Sequence, residues 1–211
     1  MARYNGPVCR ICRREGRKLF LKGQRCYGPK CGIEKKPYPP GQFGDSRTRR
    51  RRPSDYCNQL REKQRLREIY GLLEGVFRAY VSDAERMDGV AGENLLKLLE
   101  TRLDNAVYRA SLAASRAEAR QLVAHGHITV NGGKVNVPSF RLRPGDVVGT
   151  KEKSRDLQPI VAAVGAAANR ADLPWMQVDP ENRTATVLSL PERADIDVDI
   201  DEQMIIEFYS R

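Results

Sequence analysis

Ser115-Arg-Ala-Glu-Ala-Arg-Gln-Leu-Val-Ala-His-Gly-His-Ile-Thr-Val-Asn-Gly-Gly-Lys-Val-Asn-Val137 decides the fold. Ser115 and Glu118 make a capping-box pattern, a hydroxyl and a carboxylate placed to satisfy free amides at a helix start. Leu122 and Val123 mark the inward face of that helix. Arg116 and Arg120, four apart, share its outward face. Gly126 stops the helix in the left-handed conformation that glycine favours. His127–Val130 then reads as a short strand, Asn131-Gly132 as a type I′ turn, and Lys134–Val137 as the returning strand. Upstream, residues 93–110 read as one helix with Leu95, Leu96, Leu98, Leu99, Leu103, Val107 and Tyr108 inward. Helix, helix, hairpin is a small stiff scaffold that presents Arg116, Arg120, Lys134, Arg141 and Arg143 from adjoining turns. Arginines at fixed spacing suit phosphate contacts. His125 and His127 lack neighbouring ligands for a metal, but His125 suits a base or phosphate contact.

Downstream, Ser154 is expected to cap a helix with Leu157, Ile160, Val161 and Val164 inward. Trp175–Val178 and Arg183–Leu188 read as strands joined by Asp179-Pro-Glu-Asn182. The alternation of Ile196, Val198 and Ile200 with Asp195, Asp197, Asp199 and Asp201 predicts a half-exposed strand.

Working toward the N-terminus, a first helix is expected from Ser54 or Asp55 to Gly71. It has an apolar stripe of Tyr56, Leu60, Leu66, Ile69 and Tyr70, and an outer basic face of Arg61, Lys63, Arg65 and Arg67. Leu73, Val76, Phe77, Tyr80, Val81, Ala84 and Met87 predict a second, core-packed helix. Residues 35–53 contain Pro, Gly and the run Arg49-Arg-Arg-Arg52 after Arg47. Such a run extends in water and orders against phosphate, releasing counterions. Tyr38 and Phe43 are placed to stack on bases.

Charge is unevenly spread. Of the 211 residues, those from 1 to 67 carry 20 Lys and Arg against 5 Asp and Glu, and the rest carry 17 against 22. The chain's net charge of +10 is therefore concentrated at one end, which favours an anionic partner there. The basic start has no apolar signal core, and Pro159–Ala168 is too short to span a bilayer, so a cytosolic protein is expected.

Four cysteines, Cys9, Cys12, Cys26 and Cys31, follow C-x2-C-x13-C-x4-C. Two short pairs joined by a loop suit a tetrahedral thiolate site. A reducing compartment disfavours disulfides, and Cys9–Cys12 does not sit between a strand and a helix as a redox motif would. Zinc is the default ion, with a [4Fe-4S] cluster as the alternative. The segment has little core of its own (Val8, Ile11, Leu19, Phe20, Leu21, Ile33), so its fold is expected to depend on the metal. Cys57 stands apart and reads as packing.

Arg102–Arg109, Ser115–Ile128 and Val130-Asn-Gly132 together resemble the S-four family of bacterial small-subunit ribosomal proteins. The resemblance extends to Met1–Tyr4, the four cysteines, Tyr38–Phe43, Leu60–Leu66, Gly92–Leu96 and Glu207–Arg211, and it points to the cysteine-containing, metal-binding branch. It implies a protein that binds 16S ribosomal RNA at a multi-helix junction of the 5′ domain and nucleates assembly of the subunit body. It further implies contact with ribosomal protein S-five, an influence on translational accuracy, other small-subunit partners, and messenger RNA near the entry channel.

The fold class expected is α+β: a metal-knuckle N-terminal segment, a helical domain, and a small helix-helix-hairpin RNA-binding module with a mixed or antiparallel sheet. The expected domains are 1–53, knuckle and basic extension; 54–91, helical and completed by 190–211; and 92–189, the module. Candidate RNA-binding residues are Arg3, Arg10, Arg13, Arg14, Arg25, Arg47, Arg49, Arg50, Arg51, Arg52, Arg61, Lys63, Arg65, Arg116, Arg120, His125, Lys134 and Arg141. No enzyme, small-molecule substrate or membrane role is expected. The stretch after the module is too short for a catalytic domain, and no phosphate-binding Gly loop or nucleophile–base cluster is present. A free zinc-containing DNA reader would place an Arg-rich helix after the metal site, where this chain has a Pro/Gly tether.

Overall fold

The computed structural model describes residues 4–42, 44, 53–166 and 173–210. Two compact units are formed, Met1–Gly92 with Val198–Arg211, and Glu93–Asp197. The described helices are α1 (Cys9–Glu15), α2 (Gly32–Lys35), α3 (Asp55–Ile69), α4 (Glu74–Glu85), α5 (Ala91–Glu100), α6 (Leu103–Arg109), α7 (Arg116–Ala124), α8 (Gln158–Gly165) and α9 (Glu202–Tyr209). The strands are β1 (Ile128–Val130), β2 (Gly133–Lys134), β3 (Val147–Thr150), β4 (Met176–Asp179) and β5 (Thr184–Val187). The chain is thus α+β. No described helix is long and apolar enough to cross a membrane.

In the first unit, α3 starts where its cap dictates, with the Ser54 hydroxyl accepting the Cys57 amide at 3.3 Å. Gly71, at φ +62°, follows its end. α4 buries Phe77, Tyr80, Val81 and Ala84 on one stripe, while Leu73, Val76 and Met87, expected inward, are exposed. The outer basic face expected of α3 is a correction: Lys63 and Arg65 are buried. α9 lies along α3, and Lys63 Nζ sits 4.8 Å from the Phe208 ring centre and 5.6 Å from that of Tyr209. Glu74 Oε1 accepts from Lys63 Nζ and from the Tyr209 hydroxyl, each at 2.7 Å. A buried ammonium loses its water, and a carboxylate with two ring faces replaces it. Burial pushes the Glu74 carboxyl up, but the bonds from Lys63 and Tyr209 outweigh it and hold the group below the usual range. Burial first, and the Glu74 carboxylate second, push the Tyr209 hydroxyl far above its ordinary value.

The second unit has one antiparallel sheet in the order β2-β1-β3-β5-β4. Asn131 and Gly132, at φ +50° and +79°, make the tight turn between β1 and β2, with Val130 facing Gly133. Both central residues of a type I′ turn need positive φ, which Asn and Gly tolerate. β2 is only two residues long, shorter than the Lys134–Val137 strand expected. The core joins Leu103, Val107, Leu112, Leu122, Ile128 and Trp175 with neighbours from both layers.

The expected single helix over 93–110 is broken. Arg102 is extended, and the amides of Leu103 and Asp104 bond to the carbonyls of Phe140 and Pro138 at 2.9 and 3.2 Å. The Leu142 amide returns a bond to the Thr101 carbonyl at 2.9 Å. A loop distant in sequence therefore replaces a turn of helix, which periodicity does not report. α7 ends in a Schellman motif, with His127 bonding back to Leu122 and Gly126 to Val123. Ser154 caps no helix: its hydroxyl meets His127 Nδ1 at 3.0 Å, and α8 begins after Leu157. Of the residues expected inward on α8, Ile160 is buried and Val161 exposed. Residues 196–201 do alternate buried Ile196, Val198 and Ile200 with exposed aspartates, but they join no strand ladder among the described residues.

Two consequences are measurable. The Tyr209 hydroxyl keeps its proton in the fold above pH 10, where the unfolded chain loses it. Its contribution is full below pH 10 and declines as pH rises. Tyr209→Phe is therefore expected to lose about 1 kcal/mol at neutral pH and to show a shallower decline in urea midpoint than the parent between about pH 10 and 12. Gly126 stands at φ +74°, and a Cβ there would run into the Lys134 side chain. Gly126→Ala is expected to cost about 1–2 kcal/mol in denaturant unfolding with unchanged m.

Candidate nucleic-acid interface

The N-terminal segment brings its cysteine pairs toward each other. α1 and α2 pack together, and Cys9 Sγ lies 3.2 Å from where a side chain on Gly32 would start, next to Cys31. Cys26 Sγ accepts the Lys22 amide at 3.4 Å. Cys12, Cys26 and Cys31 are buried. Burial pushes the Cys12 thiol up, opposed by the Leu19 backbone and reinforced by Cys26, Cys9 and Cys31. Among the described residues, however, no three or more His, Cys, Asp or Glu side chains are grouped to hold a metal ion. Of the expected small core only Leu19 is buried, while Phe20 is exposed and stacks on Tyr27 at 4.8 Å.

The cations of this unit divide into two kinds. Arg10, Arg14 and Arg25 are exposed, with Arg25 Nε also donating to the Lys30 carbonyl at 3.4 Å. Arg13 turns inward, donating to the Tyr38 carbonyl at 2.9 Å and covering the Tyr38 ring at 4.9 Å. It pins the Pro/Gly tether, so Tyr38 already has a stacking partner within the chain. Arg61 pairs with Glu15 at 3.1 Å and Arg65 with Glu62 at 2.5 Å. These pairs border a cavity of about 790 Å³ that Arg14, Pro39, Gly41 and Pro53 also line. Arg3, Arg47, Arg49, Arg50, Arg51, Arg52 and Phe43 lie outside the described residues.

In the second unit the arginines of α7 do not point freely outward. Ser115 accepts the Glu118 amide at 3.3 Å, and Glu118 Oε2 reaches the Ala114 amide at 2.7 Å, a capping box shifted by one residue. This fixes the first turn, from which Arg116 Nε donates to Asn105 Oδ1 at 2.8 Å. The Arg116 guanidinium lies 4.7 Å from the Tyr108 ring centre and 3.8 Å from Glu100. One turn on, Arg120 Nη1 donates to Asp104 Oδ2 at 3.1 Å.

Both carboxylates are buried and heavily used. Glu100 takes both forks of Arg109 at 2.9 Å and Asn105 Nδ2 at 2.7 Å. Asp104 takes Arg102 through Nε at 3.0 Å and Nη2 at 2.8 Å. Arg109 also pairs with Asp197 at 2.6 Å. Breaking a buried pair of this kind costs about 3–5 kcal/mol, because the survivor keeps a charge without solvent. Sequence reading missed Glu100, Asp104 and Asn105, which lay hidden inside a helix assigned to core. The signal available was the cluster of polar residues at 100–105 interrupting the Leu-rich face.

Elsewhere in this unit, His125, Lys134, Arg141 and Arg143 are exposed. Lys134 lies across Gly126 at the C-terminal end of α7, where the carbonyls favour a cation.

Known proteins are similar to this chain over its whole length. Residues 3–100 match the model of the Ribosomal protein S4/S9 N-terminal domain, and residues 101–148 match the S4 domain. The chain is 58% identical to the small ribosomal subunit protein uS4 of Natranaerobius thermophilus over the full length of both. It is 55% identical to that of Thermus thermophilus and 57% to uS4A of Symbiobacterium thermophilum, again over all of each chain. The chain therefore belongs to the uS4 family of small ribosomal subunit proteins.

Proposed function

We propose that the chain is a structural constituent of the small ribosomal subunit that acts by binding 16S ribosomal RNA, and that it is not an enzyme. The observation that carries this reading is full-length identity above one half to proteins named small ribosomal subunit proteins. The placement of the cations fits it. A sheet-backed module exposes Lys134, Arg141, Arg143 and His125, and the first unit exposes Arg10, Arg14 and Arg25. RNA junctions are read by shape and phosphate placement, which demands cations on stiff supports. The finer reading places the contact at a multi-helix junction of the 5′ domain and gives the protein an early role in assembling the subunit body. It adds contact with ribosomal protein S-five, an effect on accuracy, and proximity to messenger RNA, all in the cytoplasm.

Binding of the full chain to a transcript of the 16S 5′ domain tests the core of this reading. Affinity is expected to fall by about 10³-fold or more between about 50 and 200 mM salt, as for roughly 6–10 phosphate contacts. A scrambled RNA of equal length is expected to bind more weakly throughout. Equal affinity for both transcripts would defeat the proposal.

A zinc ion held by Cys9, Cys12, Cys26 and Cys31 belongs to the same proposal. Its support is the cysteine spacing, the burial of three thiols and the approach of Cys9 to Gly32. Such an ion would supply cross-linking that this segment's few apolar residues do not. Elemental analysis of anaerobically purified protein is expected to find stoichiometric zinc and no visible absorption. Chelation is expected to expose residues 9–35 to protease while 93–197 stays protected. Iron with a visible band would assign the cluster instead, and a metal-free, protease-resistant segment would remove the site.

A further inference from the structure

Large aromatic rings gain from burial, yet the cysteine-bearing segment leaves two of them side by side in solvent. Tyr27 is 71% exposed and Phe20 37%, although their ring centres lie 4.8 Å apart with 29° between the planes. A tyrosine covered on one face and still this exposed presents its other face to water. Both rings stand next to anchored residues. Phe20 follows buried Leu19, and its φ of +51° is a left-handed conformation that bulky residues adopt only at a cost. Tyr27 follows buried Cys26 at the end of the 3-10 turn Gly23–Cys26, and its amide bonds to the Gln24 carbonyl at 3.1 Å. Residues 16–33 contain Arg17, Lys18, Lys22, Arg25 and Lys30 but no Asp or Glu. Arg17 pairs with Asp199 and Lys18 with Glu34. Lys22, Arg25 and Lys30 are exposed and form no ion pair among the described residues.

We propose that the Phe20–Tyr27 pair is a stacking platform for an unpaired base of ribosomal RNA, with Lys22, Arg25 and Lys30 serving the flanking phosphates. This rests on the RNA-binding reading above. Every base has a π face, so stacking on a ring tolerates any base. Unpaired bases in RNA loops and bulges are taken up on aromatic side chains in this way. Phe20 backs the Tyr27 ring, so the outer face is oriented before binding and less freedom is lost when a base arrives. Tyr38, expected from the sequence in such a role, is instead covered by Arg13 at 4.9 Å. The charge around the pair selects RNA over a protein as its occupant. Protein–protein interfaces are depleted in lysine, whereas Lys22 and Lys30 stand on the turns that carry these rings.

Two substitutions at one position separate the ring from the rest of the residue. Tyr27→Leu keeps apolar bulk and removes the π face, while Tyr27→Phe keeps the ring and removes the hydroxyl. Full-length parent and variants, each shown folded by circular dichroism, are compared on the 16S 5′-domain transcript between about 50 and 200 mM salt. Tyr27→Leu is expected to bind about tenfold more weakly, and Tyr27→Phe like the parent. Both are expected to keep the parental salt slope, because no phosphate contact has been removed. Parental affinity of Tyr27→Leu would overturn the proposal, and so would an equal loss in both variants, which would assign the contact to the hydroxyl. Tyr27→Leu that binds the transcript normally but enters small subunits poorly would overturn it too, in favour of a protein partner. Ultraviolet cross-linking of the parent to the transcript needs no variant: a base adduct is expected on Tyr27 or Phe20, and adducts mapped only elsewhere would refute the idea. If the parent binds the transcript no better than a scrambled RNA of equal length, the RNA-binding reading fails instead, independently of these variants.

Discussion

Like-charged guanidinium groups cannot be packed together without something between them. At an effective dielectric near 20, two unit charges about 4 Å apart repel by about 4 kcal/mol. The second unit gathers Arg102, Arg109, Arg116 and Arg120 around the Glu100 and Asp104 carboxylates. Their presence lets α7 dock on α6 with a basic face instead of being pushed off by it. The arrangement demands a break in the helix at Arg102, since the side chain of an extended residue reaches back to Asp104 two positions on. It also demands the 138–142 loop, which takes over the backbone bonds that the broken helix leaves. The hairpin and sheet then follow from how α7 leaves its Schellman end.

The first unit solves a related problem differently. α3 is short of apolar residues, and a helix this polar gains little from a conventional core. Here Lys63, Arg65 and Gln59 are buried all the same. Lys63 is satisfied by Glu74 and by the rings of α9, and Gln59 donates through Nε2 to Glu207 at 2.9 Å. The C-terminal helix is thus a structural member of the unit that begins at the N-terminus. Polar residues there contribute through the partners they meet, and a buried ammonium with its carboxylate removed would be costly.

What could be read from the sequence and what could not separate along one line. Features set by neighbouring residues were legible: the Ser54 and Ser115 caps, the Asn131-Gly132 turn, the Gly126 stop, the β4–β5 pair and the α+β class. Their determinants lie within a few residues and act through local dihedral preference and local hydrogen bonds. Features set by distant partners were not. The reading of Lys63 as outward followed from the polarity of α3 alone, because Phe208 and Tyr209 are far along the chain. Arg13 read as a phosphate contact because nothing near it in sequence shows that the Tyr38 carbonyl and ring await it. The uninterrupted helix over 93–110 failed for the same reason, since Phe140 and Pro138 supply the bonds that end it. The strand expected around Val198 had the right alternation of buried and exposed residues but no ladder partner among the described residues.

These misreadings share a consequence for charge. A formal net charge counts every Lys and Arg equally, yet Arg13, Lys63, Arg65, Arg102 and Arg109 each commit donors to partners within the fold. The charge offered to a polyanion is the exposed subset, and its placement carries more information than its sum. Arg10, Arg14 and Arg25 stand on a segment with little core, whereas Lys134, Arg141 and Arg143 stand on a sheet-backed module. Cations on a rigid frame select among RNA shapes, because a mismatch in spacing cannot be absorbed by side-chain motion. Cations on a thinly packed segment select only as far as something else stiffens it. The stiffness of the segment that carries Arg10, Arg14 and Arg25 therefore decides whether they contribute specificity or attraction alone.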